Sequence, residues 1–206
     1  MSLRLSKYLT LLKDKASTFE RTDINGSVDE TFRAKYLVKL VFGTISGILV
    51  YLLKDGFSSD FVSYASSVLS ILVGLFITAL IFSFDKFYQS QDNLDTADSI
   101  SKLWDKQAYN YAKKFAYITS YTIVLSIFTL VLLAVNALFK EATSLNILSL
   151  RLDFDNININ SLKLFCIALF LIIQRFFVLY WLLKIMYNTL FIVSSMVQYM
   201  TTKIDR

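Results

Sequence analysis

The chain has 206 residues, 55% of them apolar and only 18% charged, with a mean hydropathy of +0.54 and a formal net charge of +5. Typical chains carry about 25% charged residues, and so apolar a composition exceeds what one soluble core of this size absorbs, so the chain reads as a membrane protein. It has no histidine and one cysteine, which excludes the usual neutral-pH proton shuttle, zinc and iron–sulfur sites, and an internal disulfide.

Proline is absent and glycine numbers five, which weighs against transporter folds with broken membrane helices and predicts long, unbroken ones. Residues 1–35 open with Leu5, Tyr8, Leu9, Leu12, Ala16 and Phe19 at three- and four-residue spacing, with Arg4, Lys7, Lys13, Lys15 and Arg21 mainly elsewhere. This is a basic amphipathic helix that lies in the inner headgroup layer, packs on the middle loop, or docks a cytoplasmic partner. The cluster Asp23 to Asp29 should break it from the first membrane span.

Charge-free runs of roughly 20 residues are needed to cross a hydrocarbon core about 30 Å thick. Residues 36–54 form a first span if Lys39 snorkels to the headgroups. Residues 61–84 form the second, with 24 uncharged residues from Phe61 to Phe84, and residues 115–139 the third, with 25 from Phe115 to Phe139. The fourth, 164–184, is bracketed by Lys163 and Lys184, carries Tyr180, Trp181 and Tyr187 as an aromatic belt, and holds Arg175 at its midpoint. The expected fold is therefore all-α, with four transmembrane helices. Sixteen of the 21 basic residues fall in the N-terminal region, the middle loop and the C-terminal end, which predicts both termini in the cytoplasm. No signal peptide is expected, since Met1 to Thr31 lacks an apolar h-region.

Between the spans, residues 85–114 balance five acids against five bases, and Asp98 or Ser99 should cap a helix carrying Ile100, Leu103, Trp104 and Tyr111. Asp92, Asp95 and Asp98 lack the spacing and central glycine of a calcium loop, so neither metal nor cofactor is expected. In residues 140–163, apolar side chains alternate, which predicts an external β-hairpin from Ile147 to Phe154 and Ile157 to Leu162 about Asp155 and Asn156. Residues 185–206 extend the last helix into the cytoplasm with a heptad-like seam, Met186, Leu190, Val193, Val197 and Met200, leaving Asn188, Thr189, Ser195 and Gln198 off it. That seam is buried against the N-terminal helix or against its own copies, and the latter implies a homo-oligomer.

Three sets of residues are functional candidates. Gly43 and Gly47 in the first span, with Ser66, Ser70 and Gly74 in the second, mark close-packing faces expected to zip the two spans together within one chain. Thr119, Thr122, Ser126, Thr129 and Asn136 share one face of the third span, as a polar packing seam or the wall of a water-filled path. Arg175, beside Gln174, stays charged at any biological pH and must be solvated, whether in a ring about an oligomer axis, at a wet interface, or near the outer surface with the fourth span displaced toward the C terminus. No HExxH, GxSxG or Walker loop is present, and Cys166 sits in an apolar run where a thiol is inert, so no enzyme is expected.

The chain length, the four spans, the basic N-terminal helix before Tyr36, the segment SILVGLFITALIFSFDKF from Ser70 to Phe87 and the Ile/Asn/Lys/Ser-rich composition resemble small membrane subunits of prokaryotic anti-phage defence systems. The Kiwa membrane subunit is the first comparison, and the accessory membrane proteins of type VI-B CRISPR loci the second. The first resemblance implies a tetrameric inner-membrane sensor working with a cytoplasmic DNA-binding effector. The second implies a membrane-perturbing effector downstream of RNA cleavage. Neither gives any residue a role, and the chain itself is expected to touch lipid, its own copies and a cytoplasmic protein, with no direct contact to nucleic acid.

Overall fold

The computed structural model describes residues 2–22, 32–92, 99–139, 143, 145–146 and 159–204. Five helices occupy them: α1 (Ser2–Phe19), α2 (Phe32–Leu52), α3 (Ser59–Asp92), α4 (Ser99–Leu138) and α5 (Ile159–Ile204). No strand occurs among the described residues. The absence of proline has the expected effect, because at 1.5 Å per residue α4 runs about 60 Å and α5 about 70 Å without a break.

Three stretches are long and apolar enough to cross a membrane: Ser59–Ile81, Lys106–Leu138 and Lys163–Gln198. The first expected span is a shorter apolar helix, Tyr36–Leu52. Charge therefore ends an apolar run without ending a helix: α3 continues through Asp85 and Lys86, and α4 begins at Ser99, well before its apolar run. Most of the expected hairpin, 147–158, lies outside the described residues, as does the turn cluster 23–29. Ile159 to Leu162, assigned to its second strand, instead open α5. Apolar alternation over so few residues does not distinguish a strand from the first turn of a helix.

The turn between α2 and α3 has a clear local cause. Gly56 takes a φ of 89°, a conformation that side chains rarely adopt, and its N–H donates to the Leu53 carbonyl at 3.0 Å. Ser58 then caps α3 by accepting the Phe61 N–H at 3.1 Å.

The helices divide into two compact units. One comprises residues 1–32, 72–125 and 185–206. Its core gathers Phe76 from α3, Phe115 and Ile118 from α4 and Ile192 from α5, with Leu72, Ala79, Ile123 and Phe191 against them. The N-terminal helix belongs here and is fastened at its C-terminal end. Ala16 is buried, the Phe19 ring stacks on Tyr117 at 5.2 Å, and Lys114 Nζ donates to the Thr22 carbonyl at 3.4 Å. Of its expected face, Leu9 and Leu12 are half-buried and Tyr8 is exposed.

The other unit comprises residues 33–71 and 126–184. Val50, Val62, Ala65, Leu69, Leu133, Leu171 and Val178 are buried here. The side chain of Trp181 lies against Phe177 at 5.3 Å and Phe128 at 6.4 Å.

Candidate functional site: a buried polar seam and an arginine clamp

The distribution of polarity is inverted relative to a water-soluble protein. Thr119, Thr122, Ser126 and Thr129 are fully buried and Asn136 nearly so, while Ile127, Phe128 and Val131 on the same helix are exposed. Such a helix suits hydrocarbon, where polar groups find partners only inside protein. The five seam residues expected to share a face of α4 are thus all directed inward.

Their hydrogen bonding differs along the helix. In the first unit, Thr122 Oγ1 donates to the Ile118 carbonyl at 2.7 Å and accepts from Asn188 Nδ2 at 3.0 Å, tying α4 to α5. In the second unit, the amides of Asn136 and Gln174 both donate to the Leu132 carbonyl, at 2.9 and 3.3 Å. Among the described residues, Ser46 Oγ, Thr119 Oγ1, Ser126 Oγ, Gln174 Oε1 and Asn188 Oδ1 are buried without a hydrogen-bond partner.

Arg175, in the second unit, is 1% exposed and wholly engaged by backbone. One terminal nitrogen donates to the carbonyls of Leu53 at 3.1 Å and Lys54 at 2.9 Å, the other to those of Thr143 at 2.7 Å and Leu145 at 2.9 Å. Leu53 and Lys54 follow the last residue of α2, and Thr143 and Leu145 lie just past the end of α4. Helix C-termini carry unpaired carbonyls and a partial negative charge, so a planar cation between two such ends answers both at once. Thr143 adds a second tie, its hydroxyl donating to the Phe139 carbonyl at 3.0 Å and its carbonyl accepting the guanidinium. The Asp55 carboxylate, held by Asn146 Nδ2 at 2.8 Å, also acts on the guanidinium through space.

This geometry makes Arg175 a clamp between the end of α2 and the residues that follow α4. Sequence inspection found the arginine but not its ligands, because backbone carbonyls have no letter.

A Cβ added at Gly43, Gly47 or Gly74 would meet no described atom within 4 Å. Ser66 is half-buried, and Ser70 is exposed with its hydroxyl bonded back to the Ser66 carbonyl at 2.8 Å. Among the described residues, no side chain packs directly on these three glycines. Met186, Leu190, Val193, Val197 and Met200 are all exposed, whereas Asn188 and Ser195, off that seam, are buried. That seam falls largely inside the apolar stretch Lys163–Gln198 rather than beyond it. Cys166 is exposed. Among the described residues, no cluster of three carboxylate or thiol side chains that could hold a metal is formed.

No family model, curated protein or solved structure matches the chain.

Proposed function

We propose that the chain is a non-catalytic membrane subunit of a bacterial anti-phage defence system, a homo-oligomeric inner-membrane sensor that passes a membrane event to a cytoplasmic protein. The observation that supports an oligomer most is the two-faced last helix. Ile185, Asn188, Ile192 and Ser195 of α5 are buried within one unit, while Met186 and Leu190 are 68% and 70% exposed on the other face. A second copy is the natural cover for a heptad-spaced row of this kind; the Kiwa resemblance implies a tetramer, and the distribution of basic residues puts both termini in the cytoplasm. The assignment to defence rests on that resemblance alone. The arginine clamp favours a sensor over a charged pore, since both terminal guanidinium nitrogens are occupied by carbonyls.

The test is phage plating on bacteria that express the chain with its flanking genes, alongside disulfide trapping of Val193→Cys in a Cys166→Ser background. Fewer plaques than in empty cells, and trapped dimers, are expected, with protection lost in Leu190→Asp. Unchanged plating with the protein present in the membrane overturns the defence reading.

A second reading, a homo-oligomeric ion channel or transport subunit, is favoured by the unpartnered Thr119 and Ser126 hydroxyls, which water would satisfy. Depolarisation of a voltage-sensitive dye on expression of the chain, weakened in Thr119→Val and Ser126→Ala, supports it. A steady potential with and without phage overturns it.

A further inference from the structure

The uncovered face of α1 carries a chemistry of its own. Phe19 and Thr22 fix the C-terminal end of this helix to α4 beside the buried Ala16, and Lys113 Nζ reinforces the joint 5.7 Å from the Phe19 ring centre. At 100° per residue, Lys7, Leu11, Arg4, Lys15 and Tyr8 fall, in that angular order, within an arc of about 100° whose Tyr8 edge lies about 20° from Phe19 and about 80° from Ala16. All five are exposed, Tyr8 by 68% and Leu11 by 49%. Three cations thus flank an exposed leucine, with a tyrosine at the edge of the arc and Asp14 just beyond the other edge.

A face that merely meets water has no use for Leu11 and Tyr8 between its charges, and an acidic protein surface would answer only the cations. A layer of anionic phospholipid headgroups answers both: phosphate oxygens for the guanidinium and ammonium groups, and the boundary with the acyl chains for the leucine and tyrosine. The point of attachment supports the same occupant. The helix α1 is held by Lys113, Lys114 and Tyr117 of α4, where the uncharged run beginning at Phe115 starts. Its fixed end therefore sits beside Lys113 and Lys114, the last charges before that uncharged run.

We propose that α1 is an anionic-lipid-binding arm, in which Arg4, Lys7 and Lys15 bind phospholipid phosphates and Leu11 and Tyr8 enter the headgroup layer. The Ala16 end stays on α4 as the hinge. Unlike simple burial of an amphipathic helix, this arm responds to the charge of the membrane, because its apolar residues on the free face are too few to hold it there alone.

The test uses the full chain with Cys166→Ser and Leu11→Cys, labelled at residue 11 with an environment-sensitive fluorophore. It is reconstituted into nanodiscs of phosphatidylcholine alone or of an equal mixture with phosphatidylglycerol. A blue shift confined to the anionic discs and abolished by high salt is expected. Each neutralised cation should lower the inserted-to-free ratio about fivefold, so Arg4→Gln, Lys7→Gln and Lys15→Gln together lower it on the order of a hundredfold. If that triple variant fails to fold, salt titration of the unsubstituted arm reads the same quantity. Identical emission in neutral and anionic discs overturns the proposal, as does a shift produced by soluble polyglutamate but not by phosphatidylglycerol, which would mark an acidic protein as the partner.

Discussion

Replacing Arg175 by leucine tests whether this residue is a clamp or a pore group. The substitution removes four donors, and the acceptors they leave are unequal: the bond to Thr143 is fully buried, whereas those to Leu53, Lys54 and Leu145 are part-buried. A stranded buried carbonyl costs about 1–3 kcal/mol, so Thr143 contributes about 2 and the other three, within partial reach of water, between about 0.5 and 1 each. The sum of about 4 kcal/mol is offset in part because leucine escapes the desolvation of a guanidinium, leaving a loss of about 3 kcal/mol. At about 2–4 °C per kcal/mol for a chain of this size, the full-length protein in mild detergent should melt about 6–12 °C lower. Amide exchange adds a local readout. The Gly56 and Thr143 N–H groups, bonded to the Leu53 and Phe139 carbonyls, should exchange faster, while amides around Asn188 keep their protection. Arg175→Lys should recover less than half of the loss, since an ammonium cannot span both helix ends as a planar fork does. A melting temperature unchanged within about 2 °C would refute the reasoning, as would a stability gain accompanied by altered conductance, the behaviour of a charge exposed in a water-filled constriction.

Three further outcomes rest on particular contacts. In a double-mutant cycle, Asn188→Leu and Thr122→Val should couple by about 0.6–1.7 kcal/mol, the range for hydrogen bonds between membrane helices; additive effects on the melting temperature would deny the bond between α4 and α5. Gly74→Ala should stabilise the isolated chain by up to about 1 kcal/mol, because the added methyl group meets no described atom within 4 Å and helix propensity rises. A loss of thermal stability instead would show that something covers this face. Phe19→Ala removes the stack on Tyr117, worth about 0.5–1.5 kcal/mol beyond burial, and should speed proteolysis within α1 without moving the main melting transition.

The spans were legible where charge was absent and illegible where charge was used as a ruler. Phe61 to Phe84 and Phe115 to Phe139 fall within α3 and α4, apart from Phe139, one residue past the end of α4. The helices overrun the predicted membrane segments because their backbone hydrogen bonds do not depend on whether a side chain is charged. Arg175 was left with several possible environments for a related reason. Centring a 20-residue window between Lys163 and Lys184 assumes that both lysines mark the membrane surface, yet the apolar stretch extends over 36 residues and admits more than one register. The clamp itself is built from carbonyls at residues 53, 54, 143 and 145, and no side-chain pattern encodes those.

The seam on α5 shows how the same pattern changes meaning with solvent. In water, Met186, Leu190, Val193, Val197 and Met200 at heptad spacing would be read as the buried side of the helix, and Asn188 and Ser195 as the solvated one. In the structure the polar pair is buried and the apolar row is exposed. Lipid accounts for the inversion: an apolar row gains nothing from leaving hydrocarbon, whereas the Asn188 amide gains a partner in Thr122 by turning inward. The α4 seam obeys the same rule: its threonines, serine and asparagine are buried while Ile127, Phe128 and Val131 are exposed. For a helix in a membrane, then, the polar minority locates the protein interior. The exposed apolar row can meet either lipid or a second copy, and Val193→Cys trapping separates these without altering the buried face.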